Sequence, residues 1–213
     1  MPKKLFFNLP EEKQARITQT ALIEFAEKTY NESSTNRIVK KAGISKGSLF
    51  KYFHTKEDLF FYILDYVLGN FISELSGEAV NLSDDLLERV VQYVEIEFSW
   101  YLRNPAQYKL IQKAFFDENS EIFPKIEKRY ELVGDRFYDR LFQGINFDKF
   151  KWDKQKILNV LKWLLKGFND EFIKKTILND NNIKSVKENY LRELREYLTI
   201  IKEGLCKEAK RNV

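Results

Sequence analysis

The 213 residues carry 36 Lys and Arg against 32 Asp and Glu, a net charge of +4, with 44% apolar residues and only 8 Gly and 4 Pro. That length buries a sizeable core, and so few helix breakers favour an all-α chain with short connections. A lone Cys206, read as a small apolar residue on a helix, rules out an internal disulfide and a thiol metal cluster. The most apolar stretch, Leu59 to Ile72, is interrupted by Asp65 and too short to span a bilayer, and MPKKLFF lacks the apolar run of a signal peptide, so a cytoplasmic protein without a membrane partner is expected.

After a short basic tail, Pro10-Glu11-Glu12 opens a first helix, with proline near its first turn and acids at the positive end of its dipole. Ile17, Ala21, Leu22, Phe25 and Ala26 recur at helical spacing up to Tyr30. Either Ser33 or Ser34 caps the next helix, which holds Ile38, Val39 and Ala42 and stops at Gly43. Ser45 caps a short helix from Lys46 that buries Leu49 and Phe53, four apart on one face. Thr55 then caps a long helix with Glu57 and Asp58 in its first turn and Leu59, Phe60, Ile63, Leu64, Val67, Leu68, Phe71 and Leu75 along it. Five further helices are predicted: Ser83 to Arg103, Pro105 to about Asn119, Ser120 to about Ile145, Asp153 to about Leu178, and Ile183 to about Lys210, making nine in all. No repeat or low-complexity tract interrupts them.

The window Ser33 to Lys56 contains six cations (Arg37, Lys40, Lys41, Lys46, Lys51, Lys56) and no acid. Removing the six from the 36 leaves 30 cations against 32 acids, so the positive field is local. It sits on two helices joined by a glycine-containing turn, the helix-turn-helix geometry whose second helix enters the major groove of DNA. Gly43 suits the turn, because a Cβ opposes positive φ. Gly47 costs about 1 kcal/mol of helix propensity, a cost that makes sense where the backbone must approach another surface.

The run Ser33-Ser34-Thr35-x-x-Ile38-x-x-x-Ala42-Gly43-Ile44-Ser45-Lys46-Gly47-Ser48-Leu49-Phe50-x-Tyr52-Phe53-x-x-Lys56-Glu57-x-Leu59 resembles the N-terminal domain of TetR-family transcriptional regulators, with glycine, aromatic and lysine positions in register from about Glu11 to Leu68. The resemblance implies a helix-turn-helix DNA-binding domain over residues 1–56 and a helical effector-binding and dimerisation domain over 57–213. It further implies a homodimer, most often a repressor, that binds a palindromic double-stranded operator and is released by a small molecule. Carried over residue by residue, Ser33 and Ser34 fall at the cap that touches phosphate, and Asn36 and Arg37 lie near the DNA. Lys46, Gly47 and Ser48 open the recognition helix, Tyr52 and His54 lie at its far end, and Lys56 stands beside the DNA backbone. Phe50 replaces a tyrosine frequent in the family, so a phenolic hydrogen bond to phosphate is lost and packing on a thymine methyl or sugar is expected. By charge and reach, Lys51, Lys56, Lys3 and Lys4 neutralise phosphates, whereas Lys46, Ser48 and Asn36 or Arg37 are candidates for base edges.

In the last helix, Leu191, Leu194, Leu198, Ile201 and Leu205 alternate spacings of three and four, with Tyr190 and Tyr197 alongside; Ile157, Leu161, Leu164, Phe168 and Phe172 repeat the rhythm one helix earlier. One such seam is ordinary core, but two adjacent ones suit a four-helix bundle with a second copy, as a helix-turn-helix reading two half-sites requires. Aromatic residues are dense between the module and this seam. A pocket for a bulky, largely apolar or amphipathic effector is expected among Tyr66, Tyr93, Trp100, Phe115, Phe116 and Trp163, with Gln92 and Gln112 as polar groups. A lipid-like acid, an aromatic and a cation are all open; for the cation, Glu95 and Glu97 are candidate partners, although a solvated helix face accounts for both.

The acid pairs Asp84-Asp85 and Asp117-Glu118 fall at helix starts or turns, and no dinucleotide, phosphate-loop, HExxH or EF-hand motif accompanies them, so neither an enzyme nor a cofactor is expected. His54 is the only histidine and has no second ligand or nucleophile to work with. The alternative to DNA is an acidic protein partner for the basic module.

Overall fold

The computed structural model describes residues 2–78, 82–177 and 183–205, with the backbone alone at 76, 78, 116, 132–140, 170, 173–177, 183–184 and 205. Cys206 and the side chains of Phe116 and Leu205 lie outside the described residues. Ten α-helices are found there: α1 Lys4–Phe7, α2 Glu11–Glu27, α3 Thr35–Ala42, α4 Lys46–Tyr52, α5 Lys56–Glu78, α6 Leu86–Arg103, α7 Pro105–Phe116, α8 Phe123–Leu141, α9 Lys154–Ile177 and α10 Ile183–Leu205. The helix beyond the nine expected is α1, within the stretch read as a basic tail. None of the ten is long and apolar enough to cross a membrane.

By contact the chain divides into two compact units, Met1–Ser76 with Arg103–Glu131, and Gly77–Leu102 with Leu132–Val213. In the first, α2 packs on α3 and α7, α3 on α4, and α4 on α1. The apolar positions read from the 3.6-residue period form its core: Ile17, Ala21, Ile38, Phe53, Leu59 and Ile63 are fully buried. Phe60 meets Phe25 and Tyr30 edge-on, both at 5.1 Å between ring centroids. The expected 1–56 segment lies wholly inside this unit, which also takes in most of α5, all of α7 and the first turns of α8.

In the second unit α9 packs on α10. Tyr190 of α10 is surrounded by Phe98, Phe168 and Phe172, with centroids 4.7–5.0 Å away. Arg89 is a buried cation satisfied by carbonyl oxygens: Nε donates to Ser83 at 2.6 Å, and Nη1 to Gln143 at 2.8 Å and Leu141 at 3.2 Å. It thereby ties the entry of α6 to the exit of α8.

Candidate nucleic-acid interface

Local chemistry builds the helix-turn-helix much as its spacing suggests. Gly43 has φ +64°, and the chain turns there with the Ile44 N–H donating to the Val39 carbonyl at 3.1 Å, a left-handed C-cap that a Cβ would strain. The Ser45 hydroxyl accepts from the Ser48 N–H at 3.0 Å, and the Thr55 hydroxyl from the Asp58 N–H at 3.0 Å, so α4 and α5 both start on side-chain caps. Ser34 is the residue before α3, but its hydroxyl makes no cap bond.

Helix α4 buries Leu49 and Tyr52 and leaves Lys46, Gly47 and Lys51 exposed, with Ser48 and Phe50 half-buried. Asn36, Lys40, Lys41 and His54 are exposed as well. Gly47 has no conformational need to be glycine: its φ is not positive, and an added Cβ would meet nothing closer than the Ser45 Oγ at 3.9 Å. The missing side chain keeps an outward surface flat, and no contact among the described residues calls for it.

Four of the expected DNA residues are engaged inside the unit. Ser33 is buried, its hydroxyl donating to the Tyr30 carbonyl at 2.6 Å. Arg37 donates from Nε to Glu24 Oε1 at 2.8 Å and from Nη2 to the Glu32 carbonyl at 2.7 Å, so its guanidinium braces α3 against α2. Tyr52 is buried against Phe6. Lys56 places its ammonium 4.4 Å from the Tyr30 ring centroid and donates to the Asn31 carbonyl, and burial holds its pKa below the ordinary lysine value. Exposed positive charge on this face therefore comes mainly from Lys40, Lys41, Lys46 and Lys51.

Sequence reasoning missed Glu24, whose acidic side chain falls on the buried face of α2. Burial works to raise its pKa, but hydrogen bonds from Arg37 and from the Ser34 N–H at 2.9 Å outweigh that and bring it below the usual carboxylate value. A depressed pKa means the stabilisation is present above the unfolded-state value and is lost as pH falls through the folded-state one. Glu24→Ala is expected to cost on the order of 2 kcal/mol at pH 7 by leaving the Ser34 N–H unpaired and Arg37 unanchored. Thermal melts should show a drop of roughly 4–8 °C that narrows as the pH is lowered. An unchanged melting temperature would remove the brace from this account.

The residues expected around an effector pocket fall in both units. Tyr66, Gln112 and Phe115 belong to the first, where Tyr66 is 44% exposed, Gln112 donates to the Tyr108 hydroxyl, and Phe115 lies 5.7 Å from the Tyr130 ring. Gln92, Tyr93, Trp100 and Trp163 belong to the second. There Gln92 accepts from the Ser83 N–H at 2.8 Å, Tyr93 and Trp100 are buried, and Trp163 stands 71% exposed on α9. Glu95 lies 3.4 Å from Arg195, as a solvated acid would. Glu97 differs: it is half-buried, desolvation pushes its pKa up to about 7, and the Tyr101 hydroxyl donates to it.

Of the seam residues, Ile157, Leu161, Phe168, Tyr190, Leu194 and Leu198 are buried within the single chain, and Leu164 and Ile201 are half-buried. Among the described residues, the large apolar side chains that α9 and α10 leave exposed are Val160, Trp163, Tyr197 and Ile200.

Residues 17–63 match the sequence profile of the bacterial regulatory proteins of the tetR family. The HTH-type transcriptional regulator YfiR of Bacillus subtilis (strain 168) is 26% identical over 176 residues, covering 80% of this chain and 82% of that protein. The crystal structure of a TetR family transcriptional regulator from Chloroflexus aurantiacus superposes over 98% of this chain and 100% of its own, with a TM-score of 0.66 and 23% identity. FadR from Bacillus subtilis, a transcriptional regulator in complex with stearoyl-CoA, shares the fold over 84% of this chain and 96% of its own, with a TM-score of 0.62 and 21% identity. Residues 17–63, a capped helix-turn-helix with a lysine-lined outer face, thus carry the tetR-family DNA-binding pattern, and most of the chain is similar to transcriptional regulators of that kind.

Proposed function

We propose that the protein is a homodimeric, ligand-released repressor whose residues 1–56 grip a palindromic operator and whose residues 57–213 pair the two copies and hold the effector. The observation that carries the DNA contact is the flat, cationic outer face of α4, where Gly47 has no intramolecular reason to lack a side chain. Lys46 and Ser48, with Asn36 from α3, are aimed at base edges; Lys40, Lys41 and Lys51 neutralise phosphates. Val160, Trp163, Tyr197 and Ile200 are the pairing side chains, since the inner seam of α9 and α10 is already occupied within one chain.

The effector is apolar or amphipathic. The aromatic density of the second unit supports this, and FadR, which shares the fold, takes stearoyl-CoA. Only Phe53, His54 and Thr55 separate α4 from α5, so an effector that favours one setting of α5 shifts the spacing of the paired recognition helices, and operator and effector then weaken each other's binding.

Titrating the purified protein with duplex DNA from upstream of its own gene, at stepped salt concentrations, tests the reading. Log affinity should fall linearly with log salt, with a slope near −0.9 for each phosphate neutralised. Absence of binding at low ionic strength by a folded protein would sink the DNA assignment and leave the acidic-protein reading in its place.

A further inference from the structure

We propose that Phe6 is a positioning residue for DNA binding: it pegs the first helix to the end of the recognition helix and so holds Lys3 and Lys4 as phosphate contacts. The proposal rests on the DNA-binding reading above and adds to it an element outside the helix-turn-helix.

Four residues do not form a stable helix alone, so α1 exists because of what it packs against. Phe6 is completely buried, with its ring centroid 5.0 Å from Phe53, 5.2 Å from Tyr62 and 6.2 Å from Tyr52. Phe53 and Tyr52 are the C-cap and last residue of α4, and Tyr62 lies on α5, so one side chain sits at the junction of both helices. The backbone adds a second tie, the Lys3 N–H donating to the Tyr52 carbonyl at 2.9 Å. A third fastens the exit of α1, where Gln14 Nε2 donates to the carbonyls of Leu9 at 2.8 Å and Phe7 at 3.3 Å.

These ties place charge as well as structure. Lys4 is exposed and Lys3 half-buried, and both lie beside the end of α4 that exposes Lys51 and His54. A loose basic tail would have to lose its chain entropy to fix these two charges on phosphates, so without the ties the two contacts go largely unmade. Held in place, they meet the phosphates that flank the recognition helix without that penalty.

The test compares wild type, Phe6→Ala, Phe6→Leu and the double variant Lys3→Ala/Lys4→Ala on a short random-sequence DNA duplex over a salt series, with circular dichroism and thermal melts alongside. The lysine double variant is expected to bind more weakly, with a salt slope shallower by about 1–2, since each phosphate contact carries about 0.9. Phe6→Ala should show a similarly shallow slope while retaining its helix content, and Phe6→Leu, which refills most of the socket, should restore it. A purely structural role for Phe6 would lower the melting temperature and leave the slope at the wild-type value, which overturns the proposal. If Phe6→Ala fails to fold, the lysine variant decides alone: its backbone ties are intact, and a wild-type slope there also overturns it. Wild type that does not bind the duplex at low salt removes the DNA reading itself and this proposal with it, a result distinct from binding that ignores the first helix.

Discussion

Gly47→Leu should reduce operator affinity by roughly 100-fold and leave the protein folded and slightly more stable, a combination that separates a contact surface from a packing position. Among the described residues nothing opposes the change. The backbone at Gly47 is ordinary helix, the nearest atom to an added Cβ is the Ser45 Oγ at 3.9 Å, and the residue is exposed. Replacing glycine within α4 should instead recover up to about 1 kcal/mol of helix propensity. On DNA the outcome reverses, because four added carbons would stand between α4 and the groove floor. Lys46→Ala removes a neighbouring donor and should cost about 10-fold or more by the same measurement, since one good base contact carries about 1–3 kcal/mol. Fluorescence anisotropy with a labelled operator and a parallel melt check both variants. Tight binding by Gly47→Leu would turn this face of α4 away from DNA.

The second large effect lies in the second unit and depends on pH. Glu97→Gln should match wild type in stability near pH 4 and exceed it by on the order of 2–3 kcal/mol at pH 8. The carboxyl has an ordinary value of 4.5 and is pushed up to about 7, first by burial, with the Tyr101 hydrogen bond acting the other way. A raised acid means that the folded state keeps its proton where the unfolded state has lost it. Stability is therefore full below pH 4.5, declines as pH rises towards 7 and then levels, because above that point a charge is held out of water. Glutamine keeps the hydrogen bond with Tyr101 and removes the ionisation. Denaturant unfolding of both proteins across this range measures the divergence; parallel curves would mean that the carboxyl is solvated after all.

Much of the first unit was legible in the chain because its determinants are local. Gly43 needs a positive φ, Ser45 and Thr55 cap the helices that follow them, and the 3.6-residue period marks Ile17, Ala21, Ile38 and Leu49 as core. Each is a property of residues within a turn or two of one another. The first helix was not legible: four residues carry no period, and Phe6 adopts its place only because Tyr52, Phe53 and Tyr62 converge on it from two other helices. The seam in α9 and α10 was read correctly as apolar, but spacing is the same whether a stripe packs inside one chain or between two. Its partner emerges only when Ile157, Leu161, Leu194 and Leu198 are seen to be buried and Val160, Trp163, Tyr197 and Ile200 are not.

Residue order alone thus settled the helical class, the capped helix-turn-helix and the local excess of positive charge, since these follow from backbone preference, short-range hydrogen bonding and summed charge. Which cations remain available to a partner was decided in three dimensions. Arg37 is drawn to Glu24 across thirteen residues and Lys56 to Tyr30 and Asn31, whereas Lys46 and Lys51 meet no acid among the described residues. The same folding that desolvates the Glu97 carboxyl sets Glu95, two residues away, beside Arg195. A side chain's charge is written in its covalent structure, but its solvation and its partners are set by whichever distant segments fold against it.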